Sequence, residues 1–256
     1  MHRTFATTTT RRQTDLEGCW SFCPDPDDAG IAEEWYQRFP AGAHPMWVPG
    51  VWNTSRAYPN YQGVGWYRTR FSTGSCAAAL VRFAAVTQQT NVWLDGEPLG
   101  EHYGGFLPFA FPIPAPAPGE HELVVRVDNT HDLTSTIPSA NLDWFPYGGI
   151  HRPVWVEELA GPGYVTSLRL TPAVTQGRAT LRVRAELSNV GDRPIYEPWT
   201  LSLDSQPLKG GHLRLEPGET QVLLFAVSVP DARLWSPDDP QLYTACLAFA
   251  GDDALD

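Results

Sequence analysis

The sequence predicts an all-β protein built as two successive sandwiches, and three observations carry that reading. Its 24 prolines and 22 glycines punctuate 256 residues too often for long helices. Short runs with strand-like patterning recur between turn signals through the first part of the chain. After Ala160–Gly161–Pro162–Gly163, a natural linker, the alternation of apolar and polar residues becomes cleaner. The expected organisation is a flexible tail over residues 1–14, a jelly-roll-like β-sandwich over 15–161 and an immunoglobulin-like β-sandwich over 162–256.

Each element follows from local pattern. Leu16–Cys23 reads as a first strand, ended by Pro24–Asp25–Pro26–Asp27. Ile31–Phe39 is expected to be a short helical piece with Glu33 and Glu34 near its start, and Met46–Gly50 an extended run closed by a turn. Trp66–Ser72 alternates as a strand does, and Ala79–Val86 reads as a strand carrying Leu80, Val81, Phe83 and Val86. Asn91–Leu94 meets Asp95–Gly96, a strong signal for a two-residue hairpin turn. Phe106–Ile113 is aromatic but broken by proline, which makes it an edge or a crossing strand. His121–Asp128 and Pro153–Glu158 complete the first sandwich.

In the second, Leu181, Val183, Ala185 and Leu187 interleave with Arg182, Arg184, Glu186 and Ser188, giving one buried and one wet face. Gln221–Val229 and Leu242–Phe249 repeat the theme. Leu242–Phe249 reads as the penultimate strand, so this sandwich is expected to lack its closing strand and to expose an edge.

Composition excludes several function classes. A net charge of −11, with Lys209 as the only lysine, argues against nucleic acid. No run of eighteen apolar residues offers a membrane span. Met1–Asp15 has no apolar core of a secretory signal, which leaves the cytoplasm as the expected compartment. Cys19, Cys23, Cys76 and Cys246 are widely spread and read as free, mostly buried thiols. His102, His131 and His151 are too dispersed for a metal site, and no cofactor is expected. The 10 tryptophans and 9 tyrosines suit both a large sandwich core and stacking on sugar rings.

The stretch Asn141–Leu142–Asp143–Trp144–Phe145–Pro146–Tyr147–Gly148–Gly149–Ile150–His151–Arg152 stands out. It joins four aromatic rings, a carboxylate, a glycine pair and an arginine between two strands, so it is either a site or a structural corner. On the residues alone, Asp143 could cap the turn by accepting nearby backbone N–H groups. The adjacent pairs Glu33–Glu34 and Glu157–Glu158 do not form a catalytic constellation. Strand neighbours point to opposite faces, and solvated charge is the expected state of both pairs.

Four segments in register carry a family resemblance. They are Val48–Pro49–Gly50–Val51–Trp52–Asn53 with Tyr61–Gln62–Gly63–Val64–Gly65–Trp66–Tyr67–Arg68, then Asn91–Val92–Trp93–Leu94–Asp95–Gly96 with Gly104–Gly105–Phe106–Leu107–Pro108–Phe109, then Asp143–Arg152. The fourth is Leu234–Trp235–Ser236–Pro237–Asp238–Asp239–Pro240–Gln241–Leu242–Tyr243. Together they resemble the non-catalytic part of glycoside hydrolase family 2, over nearly the whole chain. Within that family Asp143–Arg152 is most similar to the D-F-F-N-Y-A-G-I-H-R segment of β-glucuronidases, and β-galactosidases carry a more distant version.

The resemblance implies a three-part enzyme: a sugar-binding jelly roll, an immunoglobulin-like domain and a (β/α)₈ barrel. The barrel bears two glutamates that hydrolyse a β-glycoside with retention, about 5 Å apart, the acid/base following an asparagine. No Asn-Glu pair occurs in this sequence, so the chain alone is expected to be inactive. The resemblance assigns Asp143 to the terminal sugar and, with less support from loop length, Asn60 to a second sugar contact. Gly148, Gly149 and Arg152 would shape the loop, Arg152 by pairing with carbonyls or a carboxylate. The implied partners are a β-glycoside and a barrel domain, with self-association as a further expectation. A stand-alone carbohydrate-binding module and a structural or interaction protein remain the alternatives.

Overall fold

A computed structural model of the chain describes residues 10–131, 145–250 and 253–255. It is nearly all β. The chain divides into two compact units, one of Gln13–Ser75 with Ala79–Glu157, the other built chiefly on Glu158–Asp256. The first contains the strands β1 (Arg12–Asp15), β2 (Gly18–Asp25), β3 (His44–Val48), β4 (Val64–Thr73), β5 (Ala78–Phe83), β6 (Gln89–Leu94), β7 (Glu97–Tyr103), β8 (Phe109–Pro114), β9 (Gly119–Asp128) and β10 (Val154–Leu159). They form a six-stranded antiparallel sheet, β3-β2-β4-β9-β6-β7, and a four-stranded sheet, β1-β10-β5-β8.

Aromatic residues fill the interior of this unit. Phe22 lies 4.9 Å from Tyr67 and 5.8 Å from Trp52 between ring centroids, and all three are fully buried. Burying side chains of this size contributes roughly 2–3 kcal/mol each. The other face of the six-stranded sheet carries Trp66 stacked on Trp93 at 5.2 Å, covered by Trp35, Tyr36 and Phe39. The covering segment is a run of turns and not the expected helix over Ile31–Phe39. Buried Asp25 explains the start of that run: its carboxylate accepts Ala29 N–H, Gly30 N–H and Trp66 Nε1–H at 2.8–2.9 Å. Glu34, at φ 54°, then breaks the helical path.

The β6–β7 hairpin turns through Asp95 and Gly96 at φ 52° and 84°, the two positive angles that a type I′ turn requires. Proline-broken β8 lies at a sheet edge, the first of the two placements its sequence allows. The sheet is already formed at Arg12, earlier than the expected end of the tail at residue 14. Glu157 and Glu158 correct a second expectation, because both are buried. Glu157 accepts Trp155 Nε1–H at 2.7 Å and Arg82 Nε–H at 2.8 Å, while Glu158 lies 3.7 Å from Arg12. Neighbouring strands bring the arginines that make these charges tolerable.

The second unit comprises β11 (Gly163–Thr175), β12 (Arg178–Asn189), β13 (Ile195–Leu203), β14 (Gln206–Leu215), β15 (Thr220–Val229), β16 (Ala245–Phe249) and β17 (Asp253–Leu255). Its sheets run β11-β12-β15 and β14-β13-β16-β17, all antiparallel. Leu181, Val183, Ala185 and Leu187 enter its core with Trp199, Leu201, Leu247 and Phe249, as the alternation predicts. The strand after Phe249, expected to be missing, is present as the short β17. Asp253 anchors it, accepting Arg11 Nε–H at 2.6 Å, Arg11 Nη2–H at 2.7 Å and Val165 N–H at 2.7 Å. The four cysteines are free, but Cys19 is exposed and the other three half-buried, less enclosed than expected.

Candidate functional site

Residues 145–151 leave the first unit's core as an irregular segment fixed from three sides. Asn129, fully buried, donates from Nδ2 to the Pro146 carbonyl at 2.6 Å and accepts Gly63 N–H at 2.9 Å. Asn53, on the short 3₁₀ turn Trp52–Thr54, accepts Gly148 N–H at 2.8 Å. Its own Nδ2 donates to the Tyr61 carbonyl at 3.0 Å, which ties the clamp to the preceding loop. From the third side, Trp52 N–H reaches the Gly148 carbonyl at 3.0 Å and Thr87 N–H the Gly149 carbonyl at 3.1 Å. The buried carboxamides of Asn53 and Asn129 are thus each engaged at both the oxygen and the nitrogen.

The glycine pair is required by space as well as by angle. A Cβ on Gly148 would lie 2.0–2.5 Å from the Trp52 indole. On Gly149, at φ 136°, a Cβ would stand 2.7 Å from the Gly50 carbonyl. Arg152 is exposed, and its Nη1 reaches the Phe106 carbonyl at 3.3 Å, bracing the neighbouring turn and not its own loop. His151 Nε2 donates to the Gly105 carbonyl at 2.8 Å. Burial holds this imidazole below the ordinary histidine range, the Gly105 contact opposes that, and the Arg152 charge adds to it. Near neutral pH the ring is a neutral donor at Nε2 with an acceptor at Nδ1.

These anchors border a cleft of about 510 Å³. Phe106, Phe145, Tyr147 and His151 line it with rings, and Thr54 and Gln88 add polar groups. Phe106 and Tyr147 are each more than half exposed. A cavity of equal volume in the second unit is walled by Leu170, Val174, Leu181, Leu234 and Trp235. That cavity also carries Thr180, Arg233, Gln241 and Tyr243, whereas the aromatic cleft is the one that borders the clamped segment 145–151. No carboxylate lines that cleft among the described residues, and a pair able to cleave a glycoside is not found there.

Of the residues singled out from sequence, Gly148, Gly149 and Arg152 fall together at this cleft's border. Asn60 is exposed in a turn and does not line it. Asp143 lies outside the described residues. Sequence reasoning passed over Asn53 and Asn129, the residues that hold the loop. Asn53 carried a signal, as a carboxamide closing the quoted Val48–Asn53 segment beside a turn, while Asn129 simply follows strand β9.

The family model for the sugar-binding domain of glycosyl hydrolases family 2 matches residues 13–159. The chain belongs to glycoside hydrolase family 2. A β-glucuronidase of Paenibacillus borealis is 27% identical over 263 residues, covering 93% of this chain and 42% of its own. A β-galactosidase of Bacteroides ovatus is 27% identical over 240 residues, covering 88% of this chain and 26% of its own. Among solved structures, a family 2 β-galacturonidase from Eisenbergiella tayi bound to galacturonate superposes with a TM-score of 0.83 at 25% identity. It covers 100% of this chain and 44% of its own. This family 2 chain thus spans less than half the length of the relatives it matches.

Proposed function

We propose that this chain supplies the non-catalytic N-terminal part of a retaining family 2 β-glycosidase acting on β-glucuronides or closely related uronides. The observation that carries the proposal is the double clamp by Asn53 and Asn129, which fixes residues 145–148 two positions beyond Asp143. In this reading Asp143 accepts hydroxyl hydrogen bonds from the terminal sugar, and the aromatic cleft offers ring faces to the glycoside. A carboxylate with that role binds and orients, while proton transfer and nucleophilic attack belong to a pair of glutamates on a barrel. The uronide preference is supported by the names of the relatives and by the likeness of Asp143–Arg152 to the β-glucuronidase segment.

The test has two arms. The purified 256-residue chain should leave 4-nitrophenyl β-glucuronide, β-galacturonide and β-galactoside intact. The DNA continuing past codon 256 should encode a barrel with an Asn-Glu pair, in frame or shifted. Turnover by the chain alone, or unrelated coding sequence, would overturn the reading.

A further inference from the structure

The register of the three-stranded sheet in the second unit fixes what its outer face presents. Across β11, β12 and β15 one row reads Arg169, Arg184, Leu224 and the next Thr171, Arg182, Ala226. The row on the other side reads Ser167, Glu186, Val222. Intervening Leu181, Val183, Ala185 and Leu187 point into the core, so these side chains point outward. Three arginines and one carboxylate thus share a face of a chain whose net charge is −11. Glu186 pairs with Arg184 at 2.6 Å. Arg169 and Arg182 are exposed and, among the described residues, have no ion-pair or hydrogen-bond partner.

Like charges directly opposite one another destabilise a strand pair, as Arg169 and Arg184 are placed here. An anion shared between them relieves that repulsion, and a guanidinium fork matches a carboxylate in bidentate fashion. Beside the arginines runs an aliphatic strip of Val222, Leu224 and Ala226, with Leu224 72% exposed. Such a strip suits the apolar C–H face of a sugar ring, next to cations that suit its carboxylate.

We propose that this sheet face binds an anionic polysaccharide whose sugars carry carboxylates. A polyuronate chain would lie along β12, its carboxylates on Arg169, Arg182 and Arg184 and its ring faces on Leu224 and Ala226. The choice of a uronate rests on the uronide reading above. An acidic protein surface would satisfy the arginines as well, and the experiment separates the two.

The full chain is passed over immobilised polygalacturonate, dextran and poly-L-glutamate. Retention on polygalacturonate and not on dextran is expected, about tenfold weaker in the Arg169→Gln/Arg182→Gln variant. The Arg193→Gln/Arg214→Gln variant, with the same loss of charge elsewhere in the unit, should bind like the wild type. No retention, equal loss in both variants, or equal capture on poly-L-glutamate would each overturn the proposal. The readout is binding at the second unit, so it succeeds or fails independently of any glucuronide hydrolysis. Melting curves of both variants check that folding is intact.

Discussion

The Asn129 side chain donates to the Pro146 carbonyl at 2.6 Å from a site with no solvent exposure. The same carboxamide accepts Gly63 N–H at 2.9 Å, so one residue joins the segment at Pro146 to the loop before β4. Asn129→Ala leaves a buried donor and a buried acceptor without partners. The expected loss is about 3 kcal/mol, read as a lower midpoint in urea unfolding. A midpoint equal to the wild type would show that the clamp is dispensable.

Gly148→Ala tests the same anchor by volume. The added methyl meets the Trp52 ring at 2.0–2.5 Å, and neither the buried indole nor the clamped backbone has room to yield. Overpacking of this kind should destabilise by about 1–3 kcal/mol. It should also shift the Trp52 environment, visible in near-ultraviolet circular dichroism. Gly161→Ala, where a Cβ meets nothing within 4 Å, is the contrasting control.

Buried charge in the four-stranded sheet gives a further prediction. Arg82 Nε lies 2.8 Å from Glu157, which is 4% exposed. Arg82→Met removes that cation from beside a buried carboxylate. A loss of about 3 kcal/mol is expected at neutral pH, largely restored when Glu157→Gln is added. Additive effects in the double variant would refute the coupling.

The pH dependence follows from His151. Its folded-state value lies below the unfolded one, chiefly through burial. The unfolded chain therefore binds the extra proton first as pH falls. The contribution of this group to stability is complete above about pH 6.5 and is lost progressively as pH drops through the folded value. His102 is shifted the same way by its own burial. Thermal melts should fall on acidification below about 6.5, and less steeply in His151→Gln. An unchanged slope in the variant would count against the burial argument.

Much of the fold is legible because strand alternation and turn chemistry are local. The Asp95–Gly96 hairpin and the inward set Leu181, Val183, Ala185, Leu187 both follow from residues close in sequence. What escapes is decided by long-range partners. Glu157 reads as solvated until β5 brings Arg82 to it, and β17 forms because Arg11, 242 positions away, pairs with Asp253. Ile31–Phe39 has helical composition, yet the Asp25 carboxylate and the Trp66–Trp93 surface dictate a run of turns. At the site, the family segments located the loop and its glycines, while the clamps are visible only in three dimensions.

The proposed role of Asp143, one side of a sugar site completed by a barrel, is tested by 4-nitrophenyl β-glucuronide hydrolysis by this chain joined to a family 2 β-glucuronidase barrel, with and without Asp143→Asn. Activity in the joined protein, about a hundredfold lower kcat/KM in the variant and unchanged melting are expected. Equal kcat/KM in the two proteins would contradict that role.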